Sequence, residues 1–90
     1  MDFIDTDYNN AFVNMAIDEV LLSSKVPVLR FYQWKPNAIS IGRFQNINEI
    51  DIGFCSKNKI DIVRRITGGK TVLHENELTY SFIVDKNRLP

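Results

Sequence analysis

The chain has 90 residues and a mass of 10.4 kDa, enough for one small domain or part of a larger one. Hydrophobic residues make up 44% and charged residues 24%, a composition typical of globular proteins, and eleven basic residues balance eleven acidic ones. This balance argues against a dedicated nucleic-acid binder or a polybasic membrane anchor, and no apolar run approaches the roughly 20 residues of a membrane span.

The N-terminal third predicts a short strand followed by an amphipathic helix. Residues 3–5 are expected to form the strand, and the segment AFVNMAIDEVLLSS over 11–24 predicts the helix. Asn14 and Asp18 fall away from its apolar face, and Asn9 or Asn10 is the predicted N-cap. The predicted core-facing residues of this helix are Val13, Ala16, Ile17, Val20 and Leu21.

The middle of the chain predicts two strands and a second helix. The aromatic-rich segment Val28–Trp34 predicts a strand, residues 35–37 a turn, and Ala38–Ile41 a short second strand. Residues 49–57 predict a helix, with Asn48 as its N-cap and Asn58 in the left-handed conformation that often ends helices.

The C-terminal third predicts further extended segments over 60–65, 71–74 and 78–84. In the last of these, Leu78, Tyr80, Phe82 and Val84 alternate with Thr79, Ser81 and Ile83. The order of elements predicts an α+β fold with a mixed, mostly antiparallel sheet and flanking helices, because the connections are short.

The segment RRITGGKTVLH over 64–74 is the best candidate for a binding site. Gly68 and Gly69 permit positive φ, successive amides in such a turn bind anions, and Arg65 offers two parallel donors. The alternative is a simple hairpin or bulge. GGKT resembles the end of a nucleotide-binding P-loop, but Arg64 stands where its first glycine should be, and a strand rather than a helix is predicted to follow.

Other candidates have simpler structural interpretations. His74 could donate to a ligand or carry a proton, although a lone histidine is more often structural. Cys55 lies in the middle of the second predicted helix, which favours a core thiol over a nucleophile. Aromatic residues of the first long strand (Phe31, Tyr32 and Trp34) could line an acyl pocket, although such strands usually form core. One cysteine and one histidine exclude an internal disulfide and a multi-thiolate metal site.

The same residues resemble a known family. RRITGGKTVLH resembles the arginine- and glycine-rich signature of the lipoate-protein ligase and octanoyltransferase family, within the biotin/lipoate ligase group. NMAIDEVLL is similar to the first helix of that family, LRFYQWKPNAISIGRFQN to its first strand pair, and ELTYSFIV to the strand after the signature. The resemblance covers nearly the whole chain, and it implies that residues 1–90 form the N-terminal portion of a class II synthetase-like catalytic domain. The polar, acidic N-terminus does not resemble a signal peptide, so we expect a cytoplasmic protein.

The resemblance implies transfer of a lipoyl or octanoyl group to a lysine of a lipoyl carrier domain or the glycine-cleavage H protein. Ligases of the family form an acyl-adenylate from ATP and the free acid, whereas octanoyltransferases take the acyl group from acyl carrier protein. One octanoyltransferase branch passes the acyl group through a cysteine thioester. Lys70 stands where the ligases usually carry a third glycine. A basic residue at this position resembles the octanoyltransferase branch that uses a cysteine. The implied substrate-binding residues are Arg65, Gly68, Gly69, Lys70, Thr71, Val72, Leu73 and His74.

The resemblance assigns no catalytic residue to this chain. The catalytic lysine of the family and the nucleophilic cysteine of one branch lie well downstream of the signature. Cys55 precedes the signature, and Lys86 follows it too closely. We therefore expect part of an acyltransferase or ligase whose remainder lies elsewhere, for instance on a second subunit, or else a non-catalytic remnant that binds an acyl ligand or carrier protein. An uncovered sheet would also favour association with a partner.

Overall fold

The computed structural model of the chain describes residues 1–75 and 77–84, so Lys86 lies outside the described residues. The described part contains six strands, two α-helices and one short 3-10 helix. In chain order the elements are β1 Asp2–Asn9, α1 Ala11–Leu21, β2 Val28–Trp34, β3 Ala38–Ile41, the 3-10 helix Ile47–Glu49, α2 Ile52–Lys57, β4 Asp61–Arg64, β5 Val72–His74 and β6 Thr79–Ile83.

The strands form two three-stranded sheets, in the orders β1-β2-β6 and β4-β3-β5. In each sheet the central strand has one parallel neighbour, β1 or β4, and one antiparallel neighbour, β6 or β5. The expected α+β fold with a mixed sheet is confirmed. The pairing is evenly divided rather than mostly antiparallel, because α1 joins β1 to β2 and α2 joins β3 to β4. Each helix is thus the crossover that a parallel pair requires.

Strand β1 is longer than the sequence predicts. It covers residues 2–9 rather than 3–5, because it pairs with β2 from Asp2↔Val28 to Asn9↔Trp34. The register shifts between Asp5 and Tyr8, where Asp7 has a φ of 56°. Backbone pairing therefore holds a polar segment in extended structure.

The helix ends confirm one predicted cap and correct two others. Oδ1 of Asn10 accepts a hydrogen bond from the Val13 amide at 2.9 Å, so Asn10 is the N-cap of α1. The predicted helix over 49–57 is divided into the 3-10 helix, capped by Asn46, and α2, capped by Asp51. Lys59, with a φ of 56°, takes the left-handed conformation expected of residue 58.

The face of α1 that packs on the sheet is largely not the predicted one. Asn14 is fully buried, whereas Val20 is 72% exposed and Val13 is 41% exposed. The reason lies in β2, where Arg30 is also fully buried and donates to Asn14 and Asp18. A buried guanidinium must be hydrogen-bonded, so the helix turns its polar residues inward.

Strand β6 also turns its less apolar face toward the protein interior. Thr79, Ser81 and Ile83 are half-buried, whereas Tyr80 is 70% exposed and Phe82 is 50% exposed. The inward hydroxyls have buried partners, which explains why the less apolar face of the strand points into the protein. Within residues 1–75 and 77–84, no helix is long and apolar enough to cross a membrane.

Candidate functional site

Residues 65–71, which we call the glycine loop, connect β4 to β5 on either side of β3. The Arg65 amide donates to Ile41 O at 2.8 Å, and the Arg43 amide donates to Thr67 O at 2.9 Å. Gly69 has a φ of 94°, and a Cβ on Gly42 would lie 2.0 Å from Gly69 O. The loop therefore packs directly on the backbone at the end of β3, and this contact requires glycine at position 42.

The guanidinium of Arg65 holds the carbonyl groups of the glycine loop. Its Nη1 donates to the carbonyl of Ser40 at 2.9 Å and to the hydroxyl at 2.7 Å. Its Nη2 donates to Gly68 O at 3.0 Å and to Lys70 O at 2.6 Å. These bonds use all four Nη hydrogens, so the predicted two-pronged contact of Arg65 with an anion is not available in this geometry.

Three amides of the loop, by contrast, are available to a ligand. Within the described residues, the N–H groups of Gly68, Gly69 and Lys70 donate to no protein acceptor. Successive amides of this kind form an anion-binding concavity. The structure thus separates two roles, because Arg65 orders the loop from one side while the amides remain open to a negative group.

The imidazole of His74 is buried at the end of β5 and hydrogen-bonded at both nitrogens. Its Nε2 lies 2.8 Å from Oγ of Ser40, and its Nδ1 contacts the carboxylate of Glu77. The ring stacks on Trp34 with 3.9 Å between centroids and 11° between planes. The indole Nε1 of Trp34 in turn donates to the Thr79 hydroxyl at 2.8 Å.

A cleft of about 390 Å³ opens between α1, β2, β6 and the start of the glycine loop. Arg65, Thr67 and His74 are among the polar groups that line it. Its larger side chains are mostly apolar or aromatic, and they include Met15, Leu22, Tyr32, Trp34, Ile66, Tyr80, Phe82, Ile83 and Val84. A concave apolar site with few polar groups suits a hydrophobic chain that carries a polar end.

A buried polar network supports one wall of this cleft. The guanidinium Cζ of Arg30 lies 3.7 Å from the ring centroid of Tyr32, and Arg30 Nη1 is 2.8 Å from Asp18 Oδ1. The other carboxylate oxygen of Asp18 accepts a hydrogen bond from Ser81 at 2.9 Å. Burial raises the pKa of the Tyr32 phenol above its ordinary value of 10.0, so the cleft presents a neutral hydroxyl at neutral pH.

A second hollow of about 390 Å³ lies at the other end of the glycine loop. Gly68, Gly69 and Lys70 line it together with Phe44, Gln45, Asn46 and Glu49. Residues 65–67 border the cleft and residues 68–70 border this hollow, so the loop lies between two concave surfaces. A ligand with an apolar tail and a polar head could contact both.

Comparison with known proteins agrees with this geometry. The family model of the lipoyl protein ligase A/B catalytic domain matches residues 10–90. The chain belongs to this family.

The chain is similar to octanoyltransferases of the family in sequence. It is 47% identical to octanoyltransferase LipM of Macrococcus caseolyticus over 91 residues, which cover 94% of this chain and 33% of the relative. It is 49% identical to octanoyltransferase LipM of Clostridioides difficile over 81 residues, which cover 83% of this chain and 30% of the relative. The chain thus spans about a third of the length of the curated relatives that it matches.

Solved lipoate-protein ligases share the fold. A lipoate protein ligase from Thermoplasma acidophilum with bound lipoic acid has a TM-score of 0.80 and 31% identity, covering 90% of this chain and 36% of that one. A bipartite lipoate protein ligase of the same organism, studied with its E2 lipoyl domain, has a TM-score of 0.80 and 30% identity. The match covers 90% of this chain and 34% of that one. A lipoate-protein ligase A bound with ATP has a TM-score of 0.80 and 31% identity. The match covers 90% of this chain and 35% of that one.

The structure divides the eight predicted substrate-binding residues of this lipoyl ligase family member among three places. Arg65 and His74 line the cleft, whereas Gly68, Gly69 and Lys70 line the second hollow. The remaining three are exposed, and the Thr71 hydroxyl accepts a hydrogen bond from the Gln45 amide at 2.6 Å. These three residues are Thr71, Val72 and Leu73. Their role in binding stays a prediction.

Sequence reasoning missed the hydrogen-bond partners of His74 and understood some cleft residues only in part. Ser40 and Glu77, the partners of His74, were not predicted, although a serine within the apolar segment AISI is a visible signal. Tyr32 and Trp34 belong to the core, as expected, and they also line the cleft. The thiol of Cys55 is buried in α2, which confirms its interpretation as a core residue. Strand β5 follows the glycine loop directly, which agrees with the exclusion of a P-loop.

Proposed function

We propose that this chain supplies the acyl-binding part of a lipoyl or octanoyl protein acyltransferase or of a lipoate-protein ligase. The observation that carries the proposal is the placement of the glycine loop between the apolar cleft and the second hollow. An octanoyl or lipoyl chain would lie in the cleft against Trp34 and Ile66. The adenylate or thioester head would cross the loop and meet the free amides of Gly68 and Gly69.

The proposed substrates follow from the chemistry of the site and from the relatives. The apolar cleft favours a medium-length acyl chain, and the loop amides together with Lys70 favour a negatively charged or strongly polar head. Acyl carrier protein, or ATP with the free acid, would supply the activated acyl group. A lysine of a lipoyl domain or of the glycine-cleavage H protein would accept it. The octanoyltransferase and ligase relatives support both routes.

The chemical step is proposed to depend on residues outside this chain. The chain spans about a third of its relatives, and a structural neighbour is a bipartite ligase. The exposed apolar residues of β6, such as Tyr80 and Phe82, are suited to contact the remainder of the catalytic domain, on this polypeptide or on a second one. The alternative is a subunit that binds an acyl ligand or carrier protein without turnover.

Ligand binding is tested by titrating the ¹⁵N-labelled chain with octanoate and with a non-hydrolysable octanoyl-adenylate analogue. We expect octanoate to shift the indole N–H resonance of Trp34, and the analogue to shift the Gly68 and Gly69 amides as well. Ile66→Asp should abolish both effects because it places a charge in the cleft. Val20→Asp, at a 72% exposed position of α1 outside the cleft, is the matched control and should bind as the parent does. Binding that is equal in the two variants would contradict the proposed site.

Turnover is tested by mass spectrometry of a lipoyl domain. The chain alone is expected to add neither an octanoyl nor a lipoyl group, whether it is given octanoyl carrier protein or ATP with lipoate. Addition of a polypeptide that carries the remaining two thirds of a relative should restore transfer. An acyl mass increment with the chain alone would refute this division of labour, and failure of the reconstituted pair would favour the alternative of a binding subunit.

A further inference from the structure

A chain of hydrogen bonds connects the carboxylate of Glu77 to the glycine loop through the buried side chains of His74 and Ser40. Glu77 contacts Nδ1 of His74, and Nε2 of His74 lies 2.8 Å from Oγ of Ser40. The same Oγ accepts from Nη1 of Arg65 at 2.7 Å, and Nη2 of Arg65 holds the carbonyls of Gly68 and Lys70. We infer that Ser40 is a positioning residue whose hydroxyl holds Arg65, and through it the glycine loop, while His74 is neutral.

The assignment follows from counting protons along the chain of bonds. Arg65 has donors only, so Oγ of Ser40 must accept from it, and the single hydroxyl proton remains to be donated. The Glu77 carboxylate accepts the proton on Nδ1 of His74, which leaves Nε2 free to accept the Ser40 proton. Every donor then has an acceptor, and this holds only for the neutral imidazole with its proton on Nδ1.

A second proton on His74 would break this arrangement. Protonated Nε2 would donate to Oγ of Ser40, which already accepts from Arg65, so the hydroxyl proton would lose its acceptor. Ser40 has no exposed surface, and water therefore cannot take that proton. The unpaired proton is accommodated when the Arg65 guanidinium moves away from the Ser40 hydroxyl. The hydrogen bonds from Arg65 to the carbonyls of Gly68 and Lys70 are then weakened.

Two charged groups lie close to the imidazole. The carboxylate of Glu77 contacts Nδ1, and the guanidinium of Arg65 lies on the far side of Ser40. From α1 and β2, Asp18 and Tyr32 line the same cleft as His74. The geometry of the loop thus depends on the charge of a group that lies outside the loop.

A nucleophilic role for Ser40 does not fit the same geometry. The order serine, histidine and glutamate resembles that of hydrolase triads. In those sites, however, the oxygen faces the substrate, whereas here Ser40 is fully buried and accepts from a cation. The hydroxyl can orient its neighbours but cannot reach a reacting carbon.

The test uses Trp34, the single tryptophan of the chain, because an imidazolium quenches the fluorescence of a stacked indole. Trp34 fluorescence and the amide resonances of Gly68 and Gly69 are followed in parallel from about pH 8 to about pH 5. In the parent chain we expect both to change with one midpoint. In Ser40→Ala the fluorescence transition should persist while the glycine resonances stop following it. Ser56→Ala, at an exposed position of α2, should behave as the parent does.

A second variant keeps the test decisive if Ser40→Ala fails to fold. Arg65→Lys retains the charge but loses the fork that joins Ser40 to the loop, so the glycine resonances should again stop following Trp34. The inference would be overturned if the Gly68 and Gly69 resonances change with the same pH midpoint as Trp34 fluorescence in either folded variant. It would also be overturned if the two midpoints differ in the parent chain. It rests on the proposed function only for the identity of the ligand. If the octanoyl-adenylate analogue does not bind while the pH coupling is present, the proposed function fails and the positioning role stands.

Discussion

Replacing Asp18 by alanine is expected to destabilise the fold strongly, because it would leave a buried cation without its counter-charge. Arg30 has no exposed surface and donates four hydrogen bonds, to Thr6 Oγ1, Asn14 O, Asn14 Oδ1 and Asp18 Oδ1, at 2.7–2.9 Å. Only Asp18 among these partners carries a negative charge. Its side chain is 13% exposed, so the pair is largely desolvated.

The size of the effect follows from the burial of Arg30. Removing one partner of a buried ion pair costs about 3–5 kcal/mol, since the remaining charge is left uncompensated in a medium of low polarity. The free energy of unfolding of an ordinary domain is about 5–15 kcal/mol, so Asp18→Ala should remove a large part of it. Asp18→Asn should cost less, because the amide oxygen still accepts from the Arg30 guanidinium.

Urea denaturation followed by circular dichroism measures these changes in the free energy of unfolding. Glu19→Ala, next to Asp18 but exposed, is the matched control and should stay within about 0.5 kcal/mol of the parent. A further variant, Asp18→Leu with Arg30→Met, should recover part of the loss because it removes both charges. A loss below about 1 kcal/mol for Asp18→Ala would refute the reasoning, because it would mean that Arg30 does not need its counter-charge.

Two further predictions concern the glycine loop and the cleft wall. Gly42→Ala places a Cβ 2.0 Å from Gly69 O, so it should lower the free energy of unfolding in urea by about 1–3 kcal/mol or more. It should also displace the amide resonances of Gly68 and Gly69. Gly53→Ala, whose Cβ has only a 3.6 Å contact, is the control and should not lower the free energy of unfolding. Unchanged loop resonances in folded Gly42→Ala would contradict the close contact. Burial raises the pKa of Tyr32 above 10.0, so the native state holds that proton more tightly and the resulting stability is lost as pH rises above about 10. The free energy of unfolding should therefore fall less in Tyr32→Phe than in the parent between about pH 9 and about pH 11, and equal losses would show that Tyr32 is not responsible.

Local signals in the sequence were sufficient for the type of most elements. Strands β2 and β3 have the predicted bounds, and the Asn10 cap of α1 follows from its side chain alone. The errors lie where long-range pairing decides. Strand β1 extends to residue 9 because it pairs with β2, and the parallel pairs arise because both helices cross over between strands.

The site shows the same division. The RRITGGKTVLH segment identifies the glycine loop and the family, and the match over residues 10–90 confirms the family. The functions of individual residues within the segment depend on atoms far away in sequence. Arg65 was predicted to face a ligand, yet its Nη groups are directed at Ser40 and the loop itself, because β3 lies between β4 and β5.

The sequence by itself determined the family, the class of fold and the positions of most helices and strands, because periodicity, capping residues and the glycine signature act over a few residues. Only the tertiary structure decided which faces are buried. Arg30 occupies the centre of a sheet, and a buried cation requires nearby acceptors, so α1 turns Asn14 and Asp18 inward and β6 turns Ser81 toward Asp18. The free energy of satisfying one buried charge outweighs the apolar pattern of two neighbouring elements, and that competition is settled only when the elements meet.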